Sequence, residues 1–114
     1  MERHYRRDAN TFMVMGDFNQ SRYNLQGYGT EKVRQILTNY LEKLDLSCVT
    51  EGDLSPFLHP DPIKHKIRNN IDHICIANNF IKQMKQYQVG AWDHFSEEGK
   101  YMSDHNGVFI SFDI

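Results

Sequence analysis

The residues in this chain best suited to chemistry fall in three short clusters: Gly16-Asp17-Phe18-Asn19, Ile71-Asp72-His73 and Ser103-Asp104-His105-Asn106. Each follows or lies within a run of apolar and β-branched residues, so each carboxylate is expected near a strand end. A carboxylate there is costly to desolvate unless it is paired, hydrogen-bonded or bound to a metal. Three such sites, with one Asn and one strand-edge His, predict a hydrolytic centre where strand ends converge. Each cluster also has a plainer reading. Gly, Asp and Asn dominate turns for steric and hydrogen-bonding reasons, so residues 16–19 also fit a strand-ending turn, and Asp104 with His105 a loop cap. Asp72 also fits an exposed place on an alternating strand, although Ile71, Ile74 and Ile76 argue for burial. His73 points to the opposite face from Asp72 and reads as a packing or surface histidine.

These clusters need elements to hold them. Thr11-Phe12-Met13-Val14-Met15 is apolar on both faces, as expected of a central strand buried from both sides, and it stops at Gly16. Residues 20–28 are rich in Ser, Asn, Gln and Gly and read as a loop. Thr30 is a good N-cap with Glu31 in the first turn. Val33, Ile36, Leu37, Tyr40, Leu41 and Leu44 then recur at steps of three and four, giving an amphipathic helix of about four turns. Residues 46–50 form a short strand. Pro56, Pro60 and Pro62 mark a loop outside any central ladder. Residues 71–77 are a second strong strand and 107–112 a last one. Between them, 80–89 is ambiguous: Ile81 and Met84 allow a helical turn, whereas Tyr87 and Val89 look extended. Residues 93–102 are polar loop. More apolar runs than helices means helices packed on a sheet. One substantial helix is too little to cover four strands, so an apolar face is left over.

Composition sets the outer limits. The 114 residues fit one soluble domain, with 39% hydrophobic and 25% charged residues. Lys and Arg number 13 against 15 Asp and Glu, a net charge of −2. That balance neither supports nor excludes a phosphate substrate, because a metal supplies positive charge locally. It disfavours tight, long-footprint binding to duplex nucleic acid, which needs a basic face. Arg3, Arg6 and Arg7 precede no apolar stretch of signal-peptide length, and no run is long enough to span a membrane. Cys48 and Cys75 sit in strand-like stretches and read as buried, reduced thiols, with a cytoplasmic location expected. His59, His65 and His94 lack metal-ligand spacing. Arg22, Tyr23 and Asn24 fit substrate contact and solvated loop equally. Trp92 reads as a packing residue rather than a platform for a base or lipid.

Gly16-Asp17-Phe18-Asn19 after an apolar strand, Ile71-Asp72-His73-Ile74 in the next strong strand, and Ser103-Asp104-His105 before the last strand resemble the endonuclease/exonuclease/phosphatase family. The resemblance runs from about Thr11 to Ile114, and the three motifs stand in the family's order. It implies an α+β fold of the α/β sandwich type, residues 1–114 being the C-terminal portion of the domain: half of a four-layer β-sandwich flanked by helices, its sheet mostly antiparallel or mixed. The family's N-terminal half, which supplies a metal-binding Glu, an Asn and a further His or Tyr near the phosphate, has no counterpart here. The missing sheet is also the cover that the apolar runs call for.

The resemblance implies a role for each residue. Asp17 orients or deprotonates the attacking water. Asn19, placed on the same side of an extended chain, donates its amide to a phosphate oxygen. Asp104, with Asp17, holds the metal: Mg²⁺, with Mn²⁺ the alternative. His105 contacts the phosphate, and Asp72 accepts a hydrogen bond from its far ring nitrogen, favouring the imidazolium. The implied activity is metal-dependent hydrolysis of phosphodiesters or phosphomonoesters, with a nuclease acting on nucleic acid as the first candidate. The alternative is a catalytically incomplete half-domain that needs a complementary N-terminal half, or pairs as a homodimer.

Overall fold

A computed structural model describes residues 12–23, 28–61 and 63–114. Arg3, Arg6, Arg7, Thr11, Asn24 and Pro62, named above, lie outside them. The elements run β1 (Met13–Asp17), α1 (Glu31–Lys43), β2 (Leu46–Cys48), a 3-10 turn (Ser55–Phe57), β3 (Asp72–Ala77), α2 (Asn78–Gln83), β4 (Gln86–Trp92) and β5 (Gly107–Asp113). The strands make two sheets, β1-β3-β2 and β4-β5, and every pairing among the described residues is antiparallel. The fold is α+β.

β3 is the centre of the larger sheet. Its β-branched isoleucines suit a pleated surface, and residues 73–77 are all buried. Side chains alternate across the sheet, so His73, Cys75 and Ala77 share one face and Asp72, Ile74 and Ile76 the other. The first face packs under α1: Cys75 and Ala77 join Leu41, Leu46 and Cys48 in the core, with Leu37, Phe18 and Phe80 against it. β5 approaches β3 as well, although the two are not paired.

α1 begins where its cap predicts. Thr30 is extended and its side chain accepts a hydrogen bond from the Val33 N–H, while Glu31 and Lys43 lie at the ends that the helix dipole favours. Only part of its apolar stripe is covered. Leu41 is buried, but Val33, Ile36, Tyr40 and Leu44 are exposed.

β1 departs from expectation. It runs through Gly16 to Asp17, and it is an edge strand paired only with β3 among the described residues. Val14 and Met15 are exposed, not buried on both faces. An apolar run of this length specifies a strand but not its neighbours, and no described element covers this one. Residues 46–50 also shorten to a three-residue strand, because the Thr50 hydroxyl takes the Ile74 N–H and ends the ladder.

The ambiguous stretch 80–89 is a helix followed by a strand, so the chain has five strands rather than four. β4 pairs with β5 along its whole length. Gly90 lies opposite Phe109, where a Cβ would stand 2.5 Å from Phe109 Cζ, so only glycine leaves room for that ring. Trp92 stacks on Phe109 with centroids 4.7 Å apart, as a packing residue should, yet it stays 62% exposed.

Candidate active site

The β1–β3 register brings two of the three clusters together. Ala77 N–H donates to Phe12 O and Phe18 N–H to Ile71 O, which identifies 12·77 and 18·71 as hydrogen-bonded pairs. Alternation then makes Asp17·Asp72, partners in the register, a non-hydrogen-bonded pair, in which side chains stand closest. Like charges directly opposite destabilise a sheet, so this pair calls for a cation. His105 stands where one is needed: its Nδ1 lies 2.6 Å from Asp72 Oδ2. The hydrogen bond and charge of Asp72 raise the His105 pKa above its ordinary value, with Asp104 and Asp17 contributing and partial burial opposing.

The local sequence holds each group in place. Asn70 clasps the start of β3, its Nδ2 donating to Asp72 O at 2.7 Å while its Oδ1 accepts from Asp72 N–H. Ser103 Oγ accepts from His105 N–H. Asp17 Oδ1 accepts from Asn19 N–H at 2.8 Å, closing a turn. Asn19 therefore does not continue an extended chain. It sits at φ 55°, in the left-handed region that Asn tolerates, and the turn rather than strand alternation sets its direction.

Asn19, Asp72, Asp104 and His105 line one cleft of about 480 Å³. Asp104 is exposed, and its backbone oxygen accepts from Arg68 Nη1. Arg68 also reaches Asp61 Oδ2 at 3.0 Å, so one guanidinium ties the Asp104 loop to the proline-rich segment. Asp61 in turn accepts from the backbone of Lys64 and Ile63; these bonds and Arg68 hold its pKa down to about 2. Sequence reasoning passed over Asn70, Arg68 and Asp61. An Asn two residues before a strand is a turn signal that points to the first, whereas nothing local marks the long-range pairing of the other two.

Asp17, Asp72 and His105 each offer a ligand atom within 4.8 Å of the others, the one such group among the described residues. His105 and Asp72 are already bonded to each other, which leaves Asp17 as the carboxylate of this group for a cation. Asp104 stands outside the close group, on the adjoining cleft. Mg²⁺ is commonly held by one or two carboxylates with water and substrate oxygens completing the octahedron, and a carboxylate such as that of Asp17 has the donor chemistry this ion takes.

The other singled-out residues have structural places. His73 is buried, Nε2 donating to Gln20 O at 2.7 Å and Nδ1 bonded to the Thr50 hydroxyl. Arg22 turns away from the cleft to Thr38, Arg34 O and Glu51. Tyr23 is exposed. The His59 ring pairs with Asp93, and His94 is buried with Nδ1 near Ser103 O. No helix among the described residues is long and apolar enough to cross a membrane. No protein-family model, curated protein or solved structure matches this chain.

Proposed function

We propose that this chain carries the Asp-His portion of a Mg²⁺-dependent phosphoesterase of the endonuclease/exonuclease/phosphatase type, with nucleic-acid phosphodiesters as its first substrate class. The observation that carries this reading is the His105–Asp72 hydrogen bond in the same cluster as Asp17. Phosphodiester hydrolysis needs an oriented water and positive groups at the phosphate oxygens. Asp72 holds the His105 imidazole by Nδ1 and stabilises its charged form, leaving Nε2 to donate to a phosphate oxygen. Asp17 orients the attacking water and takes its proton. Asn19, on the same cleft, donates its side-chain amide. Asp104 and Asp17 would hold Mg²⁺, which would supply positive charge at the phosphate.

Hydrolysis of bis(p-nitrophenyl) phosphate and of a single-stranded oligonucleotide with Mg²⁺ tests the proposal. Activity that falls about 100-fold or more in Asp17→Ala and in His105→Ala supports it. Activity unchanged in both variants rejects it.

The exposure of Val14 and Met15 on β1, which pairs only with β3 among the described residues, favours a second reading, a half-domain that needs a partner. On that reading the chain alone turns over nothing, and a separately produced N-terminal half of such a domain restores hydrolysis.

A further inference from the structure

The two cysteines, which the proposed hydrolysis does not use, meet across β2 and β3. Cys48 and Cys75 are partners in the antiparallel register, and both are buried free thiols. Val49 N–H donates to Ile74 O at 3.0 Å, which makes 49·74 a hydrogen-bonded pair. Alternation makes 48·75 a non-hydrogen-bonded pair, the kind whose Cα atoms stand about 4.5 Å apart with their side chains closest. Disulfides span Cα separations of about 4.4–6.8 Å, so this position accepts one with little backbone movement.

The surroundings favour the chemistry. The neighbouring Cys75 thiol favours the thiolate on Cys48 against the opposing effect of burial, while Cys48 and burial together keep Cys75 protonated well above the ordinary thiol range. Cys48 Sγ also lies 3.7 Å from Thr50 Oγ1, which bonds His73 Nδ1 at 2.9 Å, and His73 reaches Gln20 O beside Asn19. A change at Cys48 is thus one hydrogen-bonded chain away from the loop at the cleft.

We propose that Cys48 and Cys75 are a redox-modification site that closes reversibly into an intramolecular disulfide by exchange with a small disulfide oxidant. The Cys48 thiolate attacks one sulfur of the oxidant, whose S–S bond breaks and releases one thiolate. That thiolate takes up the proton Cys48 gave. Cys75 then attacks the mixed disulfide at Cys48 Sγ, and the second oxidant thiolate leaves with the Cys75 proton. Two electrons pass from the cysteines to the oxidant, which ends as two thiols. Both sulfurs are buried, so exchange follows the opening of β2, a three-residue edge strand.

The test uses the full chain, reduced, desalted and incubated with glutathione disulfide, with and without sub-denaturing urea to open β2. Alkylation under denaturing conditions and intact-mass measurement read the result. The expected product is monomeric, has lost both alkylatable thiols, and is about 2 Da lighter than the reduced chain. Its Tm rises on the order of 10 °C and returns on reduction. Two alkylatable thiols remaining in both arms overturn the proposal. So do stable glutathione adducts or disulfide-linked dimers as the main product.

Discussion

His105 keeps its proton to higher pH than a free imidazole because Asp72 accepts its Nδ1–H and faces it with negative charge. A group whose pKa rises on folding adds stability that is complete below the unfolded value, about 6.5 for His, and is lost as pH rises through the folded value. Asp72→Asn should therefore lower the His105 pKa, read by NMR titration. It should also move the alkaline limb of any Mg²⁺-dependent hydrolysis to lower pH. An unchanged titration would remove Asp72 from its orienting role. Asp61 shows the opposite sign. Its pKa is held down to about 2, so its contribution is present above about 3.9, the unfolded Asp value, and is lost as pH falls through the folded value. Urea unfolding of Asp61→Asn should show lower stability than the parent at pH 7, with the gap closing as the pH falls toward 2.

At the scale of elements, α1 owes its start to one side chain. Thr30→Ala should cost about 1 kcal/mol in urea unfolding, and Thr30→Ser should restore most of it, because the hydroxyl that takes the Val33 N–H is what matters. The smaller sheet depends on one close approach. Gly90→Val should weaken β4–β5 by about 1–3 kcal/mol, since the new side chain meets the Phe109 ring. Loss of the near-ultraviolet circular dichroism of the Trp92–Phe109 stack, with the far-ultraviolet signal kept, would place the damage in that sheet.

At the scale of the whole molecule, the exposed apolar groups include Val14 and Met15 on β1 and Val33, Ile36 and Tyr40 on α1. Among the described residues nothing pairs with the outer edge of β1, and a strand edge of this kind, carrying Val14 and Met15, is a template for pairing with another chain. Size-exclusion chromatography over a range of loading concentrations should show association, and Met15→Lys should shift the chain toward monomer. A monomer at every concentration would show that this edge does not drive self-association.

What the sequence determined by itself was local. Period and capping placed α1 at Thr30, the β-branched run placed β3, and three separated carboxylate clusters marked a candidate site, because each signal lies within a few neighbouring residues. The notion of β1 as a central strand failed because four apolar residues look alike at an edge and in a centre. The strand β4 stayed ambiguous, with only Tyr87 and Val89 looking extended, because a short helix runs straight into it. Tertiary structure alone decided that Asp17 faces Asp72, that His105 closes on them across 33 residues of chain, and that Arg68 ties Asp61 to the Asp104 loop. Those facts depend on strand register and loop closure, which sum interactions between residues far apart in the chain.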